Sequence, residues 1–153
     1  ERGITLWDAT NGKELRSTSA QNDGYVTSVA FSGDGQHVVS SNYGQTVRIC
    51  SVANGEEVRK YVGHSEMVMS AVFSPDGNTV ASSSMDGTVK IWNRGKSTDP
   101  TKTDIFGLER CVAFSPDGTQ VATASHQYWV NILDTVSRHV VRKFYGHTDY
   151  VRA

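Results

Sequence analysis

FSPDGNTVASSSMDGTVKIWN, residues 73–93, reads as three short strands separated by two tight turns. The first strand ends at Val72-Phe73-Ser74 and is stopped by Pro75-Asp76-Gly77, whose glycine accepts a positive φ at no steric cost. The second, 79–84, alternates apolar and small residues and runs into Met85-Asp86-Gly87, an Asp-Gly hairpin signal. The third, 88–92, sets Val89 and Ile91 on one face and Lys90 and Trp92 on the other.

The stretch recurs. FSGDG begins at Phe31, FSPDG at Phe73 and FSPDG again at Phe114, spacings of 42 and 41 residues. The ends of the third strand keep the same step, at Trp7-Asp8, Cys50-Ser51, Trp92-Asn93 and Leu133-Asp134. Gly63-His64 and Gly146-His147 stand before two of the units. A period of about 40–45 residues with four strands, a Gly-His pair and a Trp-Asp pair marks one kind of repeat protein. From about Ile4 to its last residue the chain resembles the WD40 β-propeller family. The resemblance implies an all-β fold of four-stranded blades, with about three and a half blades of a larger ring present.

Fifteen basic residues balance sixteen acidic ones, and no run of Lys or Arg forms a nucleic-acid footprint, so no nucleic-acid partner is expected. No apolar stretch approaches the ~18 residues of a membrane helix, so no membrane partner is expected either. Cys50 and Cys111 fall at non-equivalent positions of different units and read as two buried thiols rather than a disulfide. Together with the lack of an Asn-x-Ser/Thr acceptor, they point to the cytoplasm, with the nucleus as the alternative compartment.

In chain order, 1–22 is the end of one repeat, 23–64, 65–105 and 106–147 are whole repeats, and 148–153 starts another. Strands are expected at 4–8 and 15–20, then at 26–31, 37–41, 46–51 and 57–62. The next unit uses 68–73, 79–84, 88–92 and a polar outer stretch, 97–105, whose Pro100 is tolerated only on a sheet edge. The last whole unit uses 110–114, 120–125, 129–134 and 139–145, and a fifteenth strand begins at 150. Blades bury both faces on their neighbours, and a ring needs roughly 4–8 of them. Two copies would bring the wrong strand number and phase to a seven-bladed ring, so the expected companion is the rest of the propeller or a larger complex.

His64, Ser82, Asp86 and Trp92 fall in one unit, and the first three invite a hydrolase reading with Ser82 as nucleophile, His64 as base and Asp86 as orienter. Nothing nearby supplies an oxyanion hole or a Gly-x-Ser-x-Gly elbow. In the family the chain resembles, residues at the matching positions form a buried hydrogen-bond chain from Asp to His to Ser to the Trp N–H. The resemblance therefore implies a structural tetrad and no catalytic residue. The other units depart from it, offering Asn22, Ser40, Gly44 and Cys50 in the first and Ile105, Thr123, Gln127 and Leu133 in the third. The five histidines fall at no ligand spacing, so neither a metal nor another cofactor is expected.

The resemblance also implies where a partner docks: the end of the ring where the loop before the first strand and the turn after the second emerge. The positions carried over are Tyr25, Thr27 and Tyr43, then Met67, Met69 and Met85, then Leu108, Arg110 and His126, then Tyr150 and Arg152. Tyr, Met and Arg are enriched at protein interfaces, and the set includes all three methionines of the chain. Thioethers also plug gaps between blades, which is the competing role for them. The expected function is a non-catalytic scaffold that docks a peptide or protein partner on the end face. The alternatives are an enzyme-type propeller, hydrolase or lyase, and the sensor region of a multidomain signalling protein.

Overall fold

Each Ser-x-Asp-Gly turn closes on itself. A computed structural model describes residues 3–18, 23–95 and 107–151, together with the backbone of 101–104. In it, Ser74 Oγ donates to Asp76 Oδ1 at 2.5 Å, and the N–H groups of Asn78 and Thr79 donate back to Asp76 Oδ1 and Ser74 Oγ. Gly77 takes a φ of 70°, as the turn requires. The same arrangement is rebuilt at Ser32/Asp34 and Ser115/Asp117. These bonds hold the three carboxyls below the usual carboxylate range.

The turns join strands into antiparallel sheets. β1 (Thr5–Trp7) and β2 (Glu14–Ser17) form a two-stranded ladder. The first blade follows in chain order: β3 (Val26–Phe31), β4 (His37–Asn42), β5 (Thr46–Ser51) and β6 (Glu57–Val62). The middle blade is β7 (Val68–Phe73), β8 (Thr79–Ser84), β9 (Thr88–Asn93) and β10 (Thr101–Asp104). The last is β11 (Glu109–Phe114), β12 (Gln120–Ser125), β13 (Trp129–Asp134) and β14 (Val140–Tyr145). No helix is present among the described residues, hence none long and apolar enough to cross a membrane.

Successive blades pack through their first strands, β3 on β7 and β7 on β11. Two apolar seams result. Val39, Val47, Ile49 and Tyr61 of the first blade meet Val68, Ala71, Phe73, Val80 and Trp92 of the middle one. On the other side of the middle blade, Ala81, Val89 and Ile91 meet Val112, Val121 and Leu133 of the last. The alternation of Trp92 and Ile91 thus feeds two different cores, and because both faces are covered, Lys90 is buried along with its apolar neighbours. Ile4 and Leu6 pack on Val38 at the outer face of the first blade.

Three expectations need adjustment. The segment up to Val151 joins no ladder, so the described residues hold fourteen strands rather than fifteen; a strand needs a partner for its backbone groups, and none is present there. β2 is shorter than 15–20 suggests, and residues 19 and 20 lie outside the described residues, as does Pro100. Third, each first strand carries a β-bulge, at Thr27, Met69 and Arg110, which strict period-two alternation does not anticipate.

Candidate functional site

The middle blade holds one continuous hydrogen-bond chain. Trp92 Nε1 donates to Ser82 Oγ at 2.8 Å, Ser82 Oγ lies 2.8 Å from His64 Nε2, and His64 Nδ1 lies 2.8 Å from Asp86 Oδ2. Only one proton arrangement satisfies every member: the indole donates to the hydroxyl, the hydroxyl to Nε2, and Nδ1–H to the carboxylate. Asp86 also accepts from the Ser65 N–H at 3.1 Å and from the Thr88 hydroxyl at 2.6 Å. Burial alone pushes its carboxyl up, but the bonds from His64 and Thr88 outweigh burial and hold it well below the usual range. The distances match those of a Ser-His-Asp triad, yet Ser82 is 0 % exposed and its oxygen already accepts the Trp92 proton. The arrangement binds four segments of one blade together, and no substrate reaches the hydroxyl.

The first blade solves the same corner differently. Gly44 stands where Asp86 stands, and a Cβ there would lie 1.9 Å from the Asp23 carbonyl oxygen, so no side chain fits. Asp23 instead ion-pairs with Arg48 and Lys60 at 2.7 Å, and Arg48 also pairs with Glu57. Cys50 occupies the Trp92 position, is buried, and has its thiol pushed up by that burial; Cys111 is half-buried, and both are unpaired. In the last blade Leu133 fills the core at the Trp position, Thr123 Oγ1 has no protein partner, and Gln127 is exposed. Asn22 and Ile105 lie outside the described residues.

The residues carried over to the end face do gather at one end of each hairpin. The Tyr43 N–H donates to the Tyr25 carbonyl, Met85 to Met67 and His126 to Leu108, so each pair marks the same corner of its blade. Tyr25 (65 %), Tyr43 (49 %) and Tyr150 (47 %) are exposed, whereas Met67, Met69 and Met85 are half-buried. Tyr25 and Tyr43 meet edge to face, with ring centroids 5.9 Å apart. Arg110 Nε bonds His126 Nε2, and the His126 ring lies 4.4 Å from that of Tyr150. Thr27 departs from the expected exposure: the bulge turns its hydroxyl toward the next blade, where it donates to the Val68 carbonyl at 2.6 Å, while meeting Ser41 Oγ of its own blade at 2.7 Å. Arg152 lies outside the described residues.

Sequence reasoning missed Tyr128. It stacks on Tyr150 with centroids 5.6 Å apart and holds a φ of 68° at the position of Gly87. A bulky residue in that conformation is a strained exception, and the aligned glycine was the signal available in the sequence. Glu109 was missed too; it aligns with Val26 and with the fully buried Val68.

Among the described residues no three His, Cys, Asp or Glu side chains come together in a way that could hold a metal ion. No curated protein matches the chain. The WD40 family, described as WD domain, G-beta repeat, matches residues 12–51, 55–93 and 104–133. Three matches that together cover most of the sequence, laid over blades with the same turns and the same bulge, show that the chain belongs to the WD40-repeat family.

Proposed function

We propose that this chain is a non-catalytic interaction platform that docks a protein or peptide partner on the end face carrying Tyr25, Tyr43, Met67, Met85, Tyr128 and Tyr150. WD40 repeats generally act as protein-interaction scaffolds. The observation that carries the reading is an asymmetry between the two ends of the blades. At one end, four tyrosines of two blades and of the segment after the last blade are exposed together, with half-buried methionines between them. At the other, Asp34, Asp76 and Asp117 are spent on their own turns. Large rigid amphipathic rings supply contact area at little entropic cost and are the residues that dominate interface energies.

The test is partner capture with the full chain, followed by paired measurements of affinity and thermal midpoint. Tyr43→Ser and Tyr150→Ser are expected to weaken binding at least tenfold with an unchanged midpoint, while Arg142→Ala on the outer strand changes neither. Lowered midpoints with unchanged affinity would make these rings packing elements and remove the proposal's support.

A further inference from the structure

We propose that the seam between the middle and last blades is a proton-binding site, in which Glu109 sits as a neutral acid and loosens the seam when it ionises. Glu109 is 0 % exposed and stands directly opposite Ser125 in the β11–β12 ladder. Ser125 shares its face of β12 with Val121, a member of the seam's core, so the carboxyl points into the seam. No hydrogen bond of good geometry reaches either carboxyl oxygen, although the Thr123 and Ser125 hydroxyls lie close enough to favour the ionised form weakly, and neither amide atom of Asn131, another seam-facing residue, has a partner. Gly107 makes the room: a Cβ there would lie 2.4 Å from Ser125 Oγ and 3.1 Å from Glu109 Oε1.

An ionised carboxylate in this setting would be desolvated with only weak compensation from Thr123, Lys143 and Ser125, which is a costly state in a core. The elements packed on β11 supply little opposing charge. β7, β8 and β12 contain no titratable residue at all. On β11 itself, Cys111 is an unpaired cysteine and Arg110 is turned out by the bulge onto His126. Asp134 of β13 lies at the far end of the ladder, paired with Gln120, and β14 carries Arg142 and Tyr145 besides Lys143. Lys143 is the one charge that acts favourably on Glu109, and its ammonium sits 5.2 Å above the Trp129 ring. Burial therefore dominates and pushes the carboxyl up, against smaller opposing effects from Thr123, Lys143 and Ser125.

The pH dependence follows from linkage. A carboxyl raised in the folded state binds its proton more tightly there than in the unfolded chain. Below about pH 4.5 both states hold the proton and the seam carries no penalty. As pH rises the unfolded chain releases the proton first, so stability falls until the folded-state carboxyl ionises as well.

The experiment is a titration of the full chain carrying carbon-13 glutamate, read at the Glu109 carboxyl by NMR, with denaturation midpoints measured from pH 4.5 to 8. Glu109 should titrate above the ordinary glutamate range, and the midpoint of the parent should fall as pH rises. Glu109→Gln should flatten that slope. Glu109→Val, which installs the residue found at 26 and 68, should raise the midpoint most at high pH and keeps the test readable if the Gln variant folds poorly. A Glu109 titration at or below about 4.5, or the same slope in parent and Val variant, overturns the proposal.

Discussion

The two seams of this arc are built from the same repeat and end in opposite condition. Between the first and middle blades most buried polar groups are used, the Tyr61 hydroxyl being an exception. The tetrad consumes every polar atom of Ser82, His64 and the Trp92 ring, and Thr27 links Ser41 to the Val68 carbonyl across the gap. Between the middle and last blades, Ser83, Glu109, Thr123 and Asn131 together leave six buried atoms without a protein partner. The first seam also buries the larger apolar side chains, Tyr61, Phe73 and Trp92 among them, so apolar packing and polar satisfaction both favour it. A repeat architecture adds intrinsic blade stabilities to nearest-neighbour terms, and this chain places its strong and weak neighbour terms on the two sides of one blade.

The largest effect is expected when the missing acid is restored where it does not belong. Gly44→Asp would complete the turn of the first blade on paper. Its Cβ would lie 1.9 Å from a backbone oxygen that is itself fixed by Asp23's ion pairs, so the chain must move. We expect a loss of about 3 kcal/mol or more, the upper range for overpacking, measured by chemical denaturation. A neutral or stabilised variant would mean that the corner is plastic and that the staple is absent there for another reason.

Removing the acid where it does belong comes next. Asp86→Ala strips His64 Nδ1, the Ser65 N–H and Thr88 of their acceptor and should cost about 1–3 kcal/mol. Gln127→Ala, at the same position of the last blade, should change stability by under about 0.5 kcal/mol because its side chain is exposed. Equal midpoint losses for the pair would sink the staple argument.

Most of this frame was legible in the sequence. The repeated FSPDG and Asp-Gly turns specify hairpins locally, so eleven whole-blade strands were placed within a residue of their observed ends; the twelfth, β10, falls inside the polar stretch 97–105, whose other residues lie outside the described ones. The tetrad was legible as well, because its residue types are chemically distinctive. Three things were not. A bulge leaves no mark in a hydrophobic pattern, so the inward turn of Thr27 could not be seen. Gly44 reads as an ordinary turn glycine until the Asp23 backbone is found against it. Glu109 looks like a surface charge, since sequence pattern assigns glutamate outward and only alignment with Val68 argues otherwise.

The seams should also separate along pH. Asp86 titrates lower in the folded chain than in the unfolded one, so its contribution is complete above about pH 4 and is lost as pH falls below that range. Glu109 acts in the opposite direction, its cost growing as pH rises. Asp86→Asn should therefore flatten the acid limb of the stability profile and leave the neutral limb unchanged. A profile in which that substitution changes both limbs equally would show that the seams do not titrate independently.

The smallest expected gain is a repair. In the first seam the bulge residue Thr27 satisfies Ser41 and the carbonyl of Val68; the aligned residues in the second seam are Met69, Ser83 and Glu109. Met69 has no hydroxyl, and Ser83 Oγ is without a partner as a result. Met69→Thr supplies the missing group at the same bulge, and β-branched threonine suits a strand. One or two new buried hydrogen bonds, less the apolar area of the thioether, should leave a net gain of about 0.5–1 kcal/mol. Glu109→Val in the same background should add its own gain with little coupling, because the threonine would bond the residue 109 carbonyl and not its side chain. The substitution also decides what Met69 is for. If stability rises and partner affinity falls, the thioether belongs to the docking face and the second seam is left weaker for it. If stability falls, Met69 is filling the gap between blades, and the orphaned hydroxyl of Ser83 is the smaller of two costs.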